Sequence, residues 1–104
     1  MMTYNEERRR RMEEEYQVRR RLWPIAEQIE KLLRSGKTIK FSRETKWVGK
    51  EEEIWVPVQS RPGKVVMYWY KNGKLVWEEG IDAYVDCRDT LAKLLNGWTW
   101  EVIN

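Results

Sequence analysis

Apolar residues in the first third of the chain recur at the spacing of an amphipathic helix. Five of them lie four, three, four and three residues apart: Val18, Leu22, Ile25, Ile29 and Leu32. That spacing places them on one helical face. Thr3 and Glu6 form a capping box at its start, and Ser35-Gly36 predicts its end. Because few apolar side chains precede Val18, we expect residues 1–17 to project from the body as a helical extension.

Pro24 and the start of a second helix leave alternatives open. Pro24 lacks the amide hydrogen of a helical turn, so it either kinks the first helix or begins another one. The second helix begins at Asp82 or Asp86 and ends at Asn96-Gly97. Its apolar face contains Tyr84, Cys87, Leu91, Leu94 and Leu95.

Between the two helices the pattern changes to that of β-strands. Segments 39–41, 54–59, 65–70 and 75–77 are rich in β-branched and aromatic residues, and alternation returns at 98–102. Pro62-Gly63 and Asn72-Gly73 mark turns. The sequence therefore predicts a single α+β domain, residues 1–104, with a long N-terminal helix, an antiparallel meander of four to five strands, a second helix and a C-terminal strand.

Symmetric two-residue turns would sort the strand residues into two faces, neither of them polar. One face contains Ile54, Val56, Val58, Met67, Trp69 and Val76, and the other contains Trp55, Val66, Tyr68, Tyr70, Leu75 and Trp77. Either each helix covers one face, or both cover the first and leave an open platform. The platform, suited to stacked bases or a partner protein, would consist of Trp55, Tyr68, Tyr70 and Trp77. A bulge in the first turn would mix the two sets.

Pro57 bears on which strands are edges, because proline cannot donate to a strand ladder. Its position predicts that the strand around 54–59 lies at a sheet edge. Such an edge can accept a strand from a partner, or the proline can serve to prevent that pairing.

Composition narrows the classes of function. The 104 residues include no His and one Cys, so no internal disulfide forms and the usual His-based nucleophile pairs and zinc sites are excluded. Neither a membrane span nor a signal peptide is evident. We therefore expect a soluble cytoplasmic protein that is not an enzyme and needs no cofactor or metal.

Charge is polarised along the chain. Residues 1–36 contain nine basic and seven acidic residues, residues 37–76 contain nine and four, and residues 77–104 contain two and six. Each of these three zones contains a candidate contact surface.

Two arginine blocks in the first zone are candidates for contact with RNA, DNA or an acidic protein. They are Arg8, Arg9, Arg10 and Arg11, followed by Arg19, Arg20 and Arg21. The blocks lie three helical turns apart, so they stack on the helix surface, but Glu13–Glu15 between them prevent a purely basic stripe. Alternatively, i,i+4 pairs hold an exposed helix together without a ligand: Glu6 with Arg10, Glu7 with Arg11 and Glu15 with Arg19.

The middle zone interleaves cations with aromatic residues. The cations are Lys37, Lys40, Arg43, Lys46 and Lys50, beside Phe41 and Trp47. This combination is typical of surfaces that follow a phosphate backbone and stack its bases. The alternative is a solvated strand whose alternate residues are core.

The last zone has an acidic patch that consists of Glu78, Glu79, Asp82, Asp86 and Asp89. The three aspartates are spaced to share one helical face. They suit a hard cation, the positive end of a helix, or imitation of phosphates toward a basic partner.

The C-terminal order of hairpin, amphipathic helix and Asn96-Gly97-Trp98 resembles small phage-encoded anti-CRISPR proteins that inhibit Cas9. The resemblance covers about the last third of the chain. It implies a compact α+β binder without catalysis, acting in the host cell. It also implies that the acidic patch imitates DNA.

These observations predict a non-catalytic binding protein that docks on a nucleic-acid enzyme or nucleoprotein, such as a phage-type inhibitor. Direct binding of RNA or single-stranded DNA is the alternative. A small metal-dependent enzyme built on the acidic patch is a third reading. No membrane partner is expected, and a homodimer remains open.

Overall fold

Two helices and five strands follow the predicted order in the computed structural model, which describes residues 3–84 and 86–104, with the side chains of 3–79 and 86–104. They are α1 (Tyr4–Arg34), β1 (Ile39–Thr45), β2 (Gly49–Pro57), β3 (Lys64–Lys71), β4 (Lys74–Tyr84), α2 (Cys87–Leu95) and β5 (Thr99–Val102). The strands form one antiparallel sheet in the order β4-β3-β2-β1-β5. The predicted α+β class is confirmed.

A local capping signal determines where α1 begins, and the first half of the helix is exposed. Glu6 N donates to Thr3 Oγ1 and Thr3 N donates to Glu6 Oε2, each at 3.3 Å, which is the predicted capping box. Pro24 lies inside this one helix. Every side chain from 3 to 17 is exposed, and Val18 is the first that is half-buried. The first half of α1 therefore buries almost no surface against the rest of the chain.

Of the two predicted starts of α2, the structure has the one at Asp86, which is the N-cap of the helix. The Asp86 carboxylate accepts from Arg88 N at 2.8 Å and Asp89 N at 3.2 Å, and Asp89 Oδ2 accepts from Asp86 N at 3.2 Å. Asp82 and Tyr84 lie in β4, so their predicted place on the helix is wrong. The three aspartates consequently do not share a helical face.

The register between β2 and β3 differs from the symmetric prediction. Trp55 lies opposite Met67 and Val56 opposite Val66, because residues 58–63 form a loop longer than the predicted two-residue turn. The resulting offset moves residues to the other face of the sheet. At the Asn72-Gly73 turn the predicted pair Tyr70–Leu75 forms, but a bulge then places Trp69 opposite Trp77.

β2 is an interior strand, so the prediction that Pro57 marks a sheet edge is wrong. Pro57 is the last residue of β2, paired with Val65 of β3. The pairing of β2 with β1 ends at Trp55, opposite Ile39. Beyond that point the missing amide of a proline breaks no bond to β1.

Both helices pack on one face of the sheet. The buried cluster comprises Ile29, Leu33, Ile39, Phe41, Trp55, Val65 and Trp98. Ile39 and Trp55 are cross-strand partners, and the rings of Phe41 and Trp55 lie 4.6 Å apart between centroids. Across the sheet lies the open sheet face, defined as Ile54, Val56, Val66, Tyr68 and Tyr70, all of them half-buried. Within the described residues, neither helix packs against this face of the sheet.

Candidate functional site

One side of the exposed half of α1 concentrates arginine and large apolar side chains. This arginine face consists of Arg8, Arg9, Met12, Tyr16, Arg19, Arg20 and Trp23. At 3.6 residues per turn, these seven residues fall within about 120° of the helix circumference. Met12 is 60%, Tyr16 61% and Trp23 39% exposed. The apolar members are thus available to a partner together with the charges.

Acidic residues border the arginine face and do not neutralise it. Between residues 8 and 23, Glu13 and Glu15 lie on its two margins, and Glu14 lies on another side of the helix. Glu14 Oε1 is 3.3 Å from Arg10 Nε. Among the described residues, this is the one ion pair formed between residues 8 and 23 of α1. The three predicted pairs do not form there. In the described part of the chain, the four arginines of the face consequently have no ion-pair partner.

The middle zone, predicted as one basic and aromatic surface, is divided among several places. Lys40 Nζ lies 2.5 Å from Glu52 Oε2 on the open side of the sheet. Arg43 Nε lies 3.1 Å from Glu51 Oε1 on the helix side. Phe41 is buried, while Lys46 and Trp47 lie in the turn between β1 and β2, and Lys37 is exposed in the loop after α1. The prediction of a single surface is therefore wrong.

The pair Lys40–Glu52 has a clear electrostatic signature. The hydrogen bond from Lys40 lowers the pKa of Glu52, and the same bond raises the pKa of Lys40. Burial opposes both shifts and is outweighed. Each group thus holds the other in its charged form, which leaves Lys40 poorly suited to bind an external phosphate.

A cluster of buried and half-buried charges between the sheet and α2 was not predicted. Glu51 accepts from Arg43 and, through Oε2, from Trp69 Nε1 at 3.2 Å. Glu53 accepts from Lys93 and from Trp55 Nε1. The Trp98 ring lies 4.5 Å from the Arg43 guanidinium and 4.2 Å from the Lys93 ammonium. All of these side chains except Trp55 line an open cleft of about 520 Å³.

The carboxylates of this cluster are already satisfied. Each oxygen of Glu51 and Glu53 has a donor, and among the described residues no buried side-chain nitrogen or oxygen lacks a partner. Alternation along Glu51-Glu52-Glu53 in a strand could have placed the two outer carboxylates on one face. The cluster holds α2 against the sheet.

The predicted aromatic platform does not exist as one surface. Trp55 is 1% exposed beneath the helices. Trp77 is 61% exposed and lies opposite Trp69, on the helix side of the sheet. Tyr68 and Tyr70 are half-buried on the open sheet face. The changed register accounts for this separation.

The acidic patch is likewise dispersed. Glu78 and Glu79 are exposed on β4, whereas Asp86 and Asp89 cap α2. The side chain of Asp82 lies outside those described. No group of three or more His, Cys, Asp or Glu in the described residues could hold a metal ion.

Cys87 connects α2 to α1. Its thiol donates to Glu30 Oε2 at 2.6 Å. Burial, reinforced by this carboxylate, raises the pKa of Cys87 to about 11. The thiol therefore stays protonated at neutral pH and is a weak nucleophile.

No protein-family model matches this chain, and the searches of curated proteins and of solved structures find no match either. Among the described residues, neither helix combines the length and apolar character needed to cross a bilayer. The exposed surfaces of the chain itself are thus the basis for assigning a function.

Proposed function

We propose that this protein is a non-catalytic binding protein that docks on a nucleic-acid enzyme or nucleoprotein through the arginine face of α1. One observation carries the proposal: four arginines that have no ion-pair partner among the described residues share one exposed helical side with Met12, Tyr16 and Trp23. Balanced i,i+4 pairs would stabilise an exposed helix without any ligand. In the part of the chain that the structure describes, the arginines of this face have no ion-pair partner, and its apolar side chains lie outside the buried cluster.

The residue types suit a phosphate-bearing surface. A guanidinium donates to two phosphate oxygens at once, and tyrosine and tryptophan rings stack on bases or fill pockets in a protein. Ile29 and Leu33 anchor the second half of α1 in the core. The free half thus extends from a fixed base, which lowers the entropy lost when it binds.

The chain offers little equipment for catalysis. It has no histidine, and the thiol of Cys87 is held protonated. The carboxylate oxygens of Glu51 and Glu53 accept hydrogen bonds from Arg43, Lys93 and two tryptophans of the same chain. These facts support binding as the activity.

An inhibitory role of the phage type belongs to the same proposal and rests on the C-terminal resemblance. Because Asp86 and Asp89 cap α2, we assign recognition to the arginine face and not to acidic imitation of DNA. Inhibition would follow where the docked helix covers a nucleic-acid path on the partner.

The test compares two sets of three arginines on the same helix. One variant combines Arg8→Gln, Arg9→Gln and Arg19→Gln, and the matched control combines Arg10→Gln, Arg11→Gln and Arg21→Gln, which lie off the face. We expect the tagged wild type and the control to capture nucleic-acid-handling proteins from cells, and the first variant to lose them. Equal capture by both variants, or capture of no such protein by the wild type, would contradict the proposal.

A further inference from the structure

Two turns lie side by side at one end of the sheet and bring together residues that are distant in sequence. The turn end consists of Lys46, Trp47, Lys50, Lys71 and Lys74. In an antiparallel meander the β1–β2 and β3–β4 turns lie at the same end. With strands about 4.8 Å apart, the centres of these two turns are separated by about 10 Å.

Asn72 clips the two turns together. The backbone N of Asn72 donates to Lys50 O at 2.8 Å, and the side-chain Oδ1 of Asn72 accepts from Lys50 N at 3.0 Å. Gly49 has a φ of 84°, and a Cβ there would lie 2.7 Å from Asn72 Oδ1. The left-handed φ and this close approach together favour glycine at position 49. The turn end is therefore a fixed arrangement and not two independent loops.

Trp47 contributes almost no buried surface to the fold. It is 91% exposed, more than any other large hydrophobic side chain of the described residues. Burying an indole against a partner removes a large apolar area from water, so an indole left this exposed suits a binding surface. Val48 N donates to Thr45 Oγ1 at 3.1 Å and helps to fix the turn that presents the ring.

The lysines around Trp47 include a pair whose repulsion destabilises the β3–β4 hairpin. Lys71 and Lys74 lie directly opposite each other in the hairpin, and like charges in that position repel. Both are exposed, as is Lys46. Lys50 lies 3.7 Å from Glu52, and Glu44 is the acidic residue opposite it. Even with Glu44 counted, cations are in excess at this end.

We infer that the turn end binds single-stranded nucleic acid, with Trp47 stacking on an unpaired base and the lysines contacting the flanking phosphates. An exposed ring among cations is the combination that such binding uses, whereas a duplex keeps its bases stacked within the helix. This inference does not depend on the arginine face, which lies on the free half of α1.

The experiment measures binding of a fluorescent oligothymidylate of about fifteen nucleotides by anisotropy. We expect Trp47→Ala to weaken binding about 5- to 100-fold, the loss of one stacked base, and Trp47→Phe to retain most of it. Trp77→Ala is the matched control, because Trp77 is another exposed indole outside the turn end. It should leave the affinity unchanged.

Charge contributions are measured separately. Each of Lys46→Gln, Lys71→Gln and Lys74→Gln should reduce the slope of log affinity against log salt by about 0.7. A Trp47→Ala protein that binds the oligonucleotide as tightly as the wild type would overturn the inference. So would loss of binding to phosphatidylserine vesicles, and not to the oligonucleotide, in that variant, since this result would identify a membrane contact.

The two sites fail in different ways. If the triple variant Arg8→Gln, Arg9→Gln and Arg19→Gln loses the oligonucleotide while Trp47→Ala does not, the turn end is refuted and the arginine face is the nucleic-acid site. If the triple variant keeps the full dependence on Trp47, the turn end stands whatever the arginine face binds.

Discussion

The arginine face of α1 and the basic residues of β1 have similar compositions but opposite electrostatic situations. Within the described residues Arg9 and Arg20 have no ion-pair partner, whereas Lys40 is paired with Glu52 and Arg43 with Glu51. On a helix the neighbours of a side chain are three or four positions away in the same segment. On a strand they come from the adjacent strand, here the acidic run of β2. Local composition therefore predicts available charge on the helix and fails on the strand.

Among substitutions in the two regions, replacement of Arg43 should have the largest effect on stability. Arg43→Met leaves the Glu51 side chain, which is 5% exposed, without its cation. We expect the free energy of unfolding to fall by about 3 kcal/mol, because an uncompensated charge is then buried. Arg9→Met on the arginine face should change it by less than about 0.5 kcal/mol. Urea denaturation at neutral pH measures both.

A second substitution sharpens that result. Arg43→Met combined with Glu51→Gln should recover part of the loss, since no unpaired charge remains buried. Equal stability of Arg43→Met and Arg9→Met would mean that Arg43 is as free as the helix arginines.

The arginine face should dominate the response of binding to salt. With a mixed-sequence DNA duplex as the phosphate probe, the triple variant Arg8→Gln, Arg9→Gln and Arg19→Gln should lose about 2 kcal/mol of binding free energy. The slope of log affinity against log salt should fall by about 3. Lys40→Gln should leave that slope nearly unchanged, because Lys40 is already paired. A larger effect of Lys40→Gln would reverse the ranking of the two regions.

The pair Lys40–Glu52 predicts a smaller, pH-dependent contribution to stability. The pKa of Glu52 lies below its ordinary 4.5, so its stabilisation is present above that pH and is lost as pH falls through the folded value. The pKa of Lys40 lies above 10.5, so its part is complete below that pH and is lost as pH rises through the folded value. Glu52→Gln should therefore cost about 1 kcal/mol near pH 7.

Measurement of unfolding across pH checks this window. The difference in unfolding free energy between wild type and Glu52→Gln should shrink as the pH falls below 4.5 and as it rises above 10.5. A difference that does not vary with pH would show that the glutamine acts through packing and not through charge.

The predictable parts of the fold are those with local causes. Thr3 and Glu6 cap α1, and Asn72-Gly73 forms its turn with Asn72 at a φ of 49°, because these geometries depend on residues a few positions apart. The β2–β3 register required knowledge of how residues 58–63 close their loop. That offset separated Trp55 from Tyr68 and Tyr70, whereas Pro57 fits an interior strand because the pairing of β2 with β1 ends at Trp55.

The candidate sites divide in the same way. The arginine face follows from helix geometry and residue number, once the acids are placed at its margins and not within it. The turn end needed the sheet, since Lys71 and Lys74 join Lys46 and Trp47 only when alternate turns of the meander meet. The Asn72-Gly73 turn was predicted, but the turn between β1 and β2 was not, so the sequence analysis did not bring these residues together.

Replacement of Trp23 should have the smallest energetic effect of these substitutions. Acrylamide quenching of the tryptophans compares the exposure of the two regions directly. Trp23 belongs to the arginine face and is 39% exposed, whereas Trp98 is 7% exposed against Arg43 and Lys93. Trp23→Phe should cost less than about 0.5 kcal/mol, since little of its contact area lies in the core. It should remove fluorescence that acrylamide quenches readily, and Trp98→Phe should remove fluorescence that acrylamide quenches poorly. If Trp98→Phe instead removed the readily quenched component, the Trp98 indole would be open to solvent, and the contrast in burial between Trp23 and Trp98 would be contradicted.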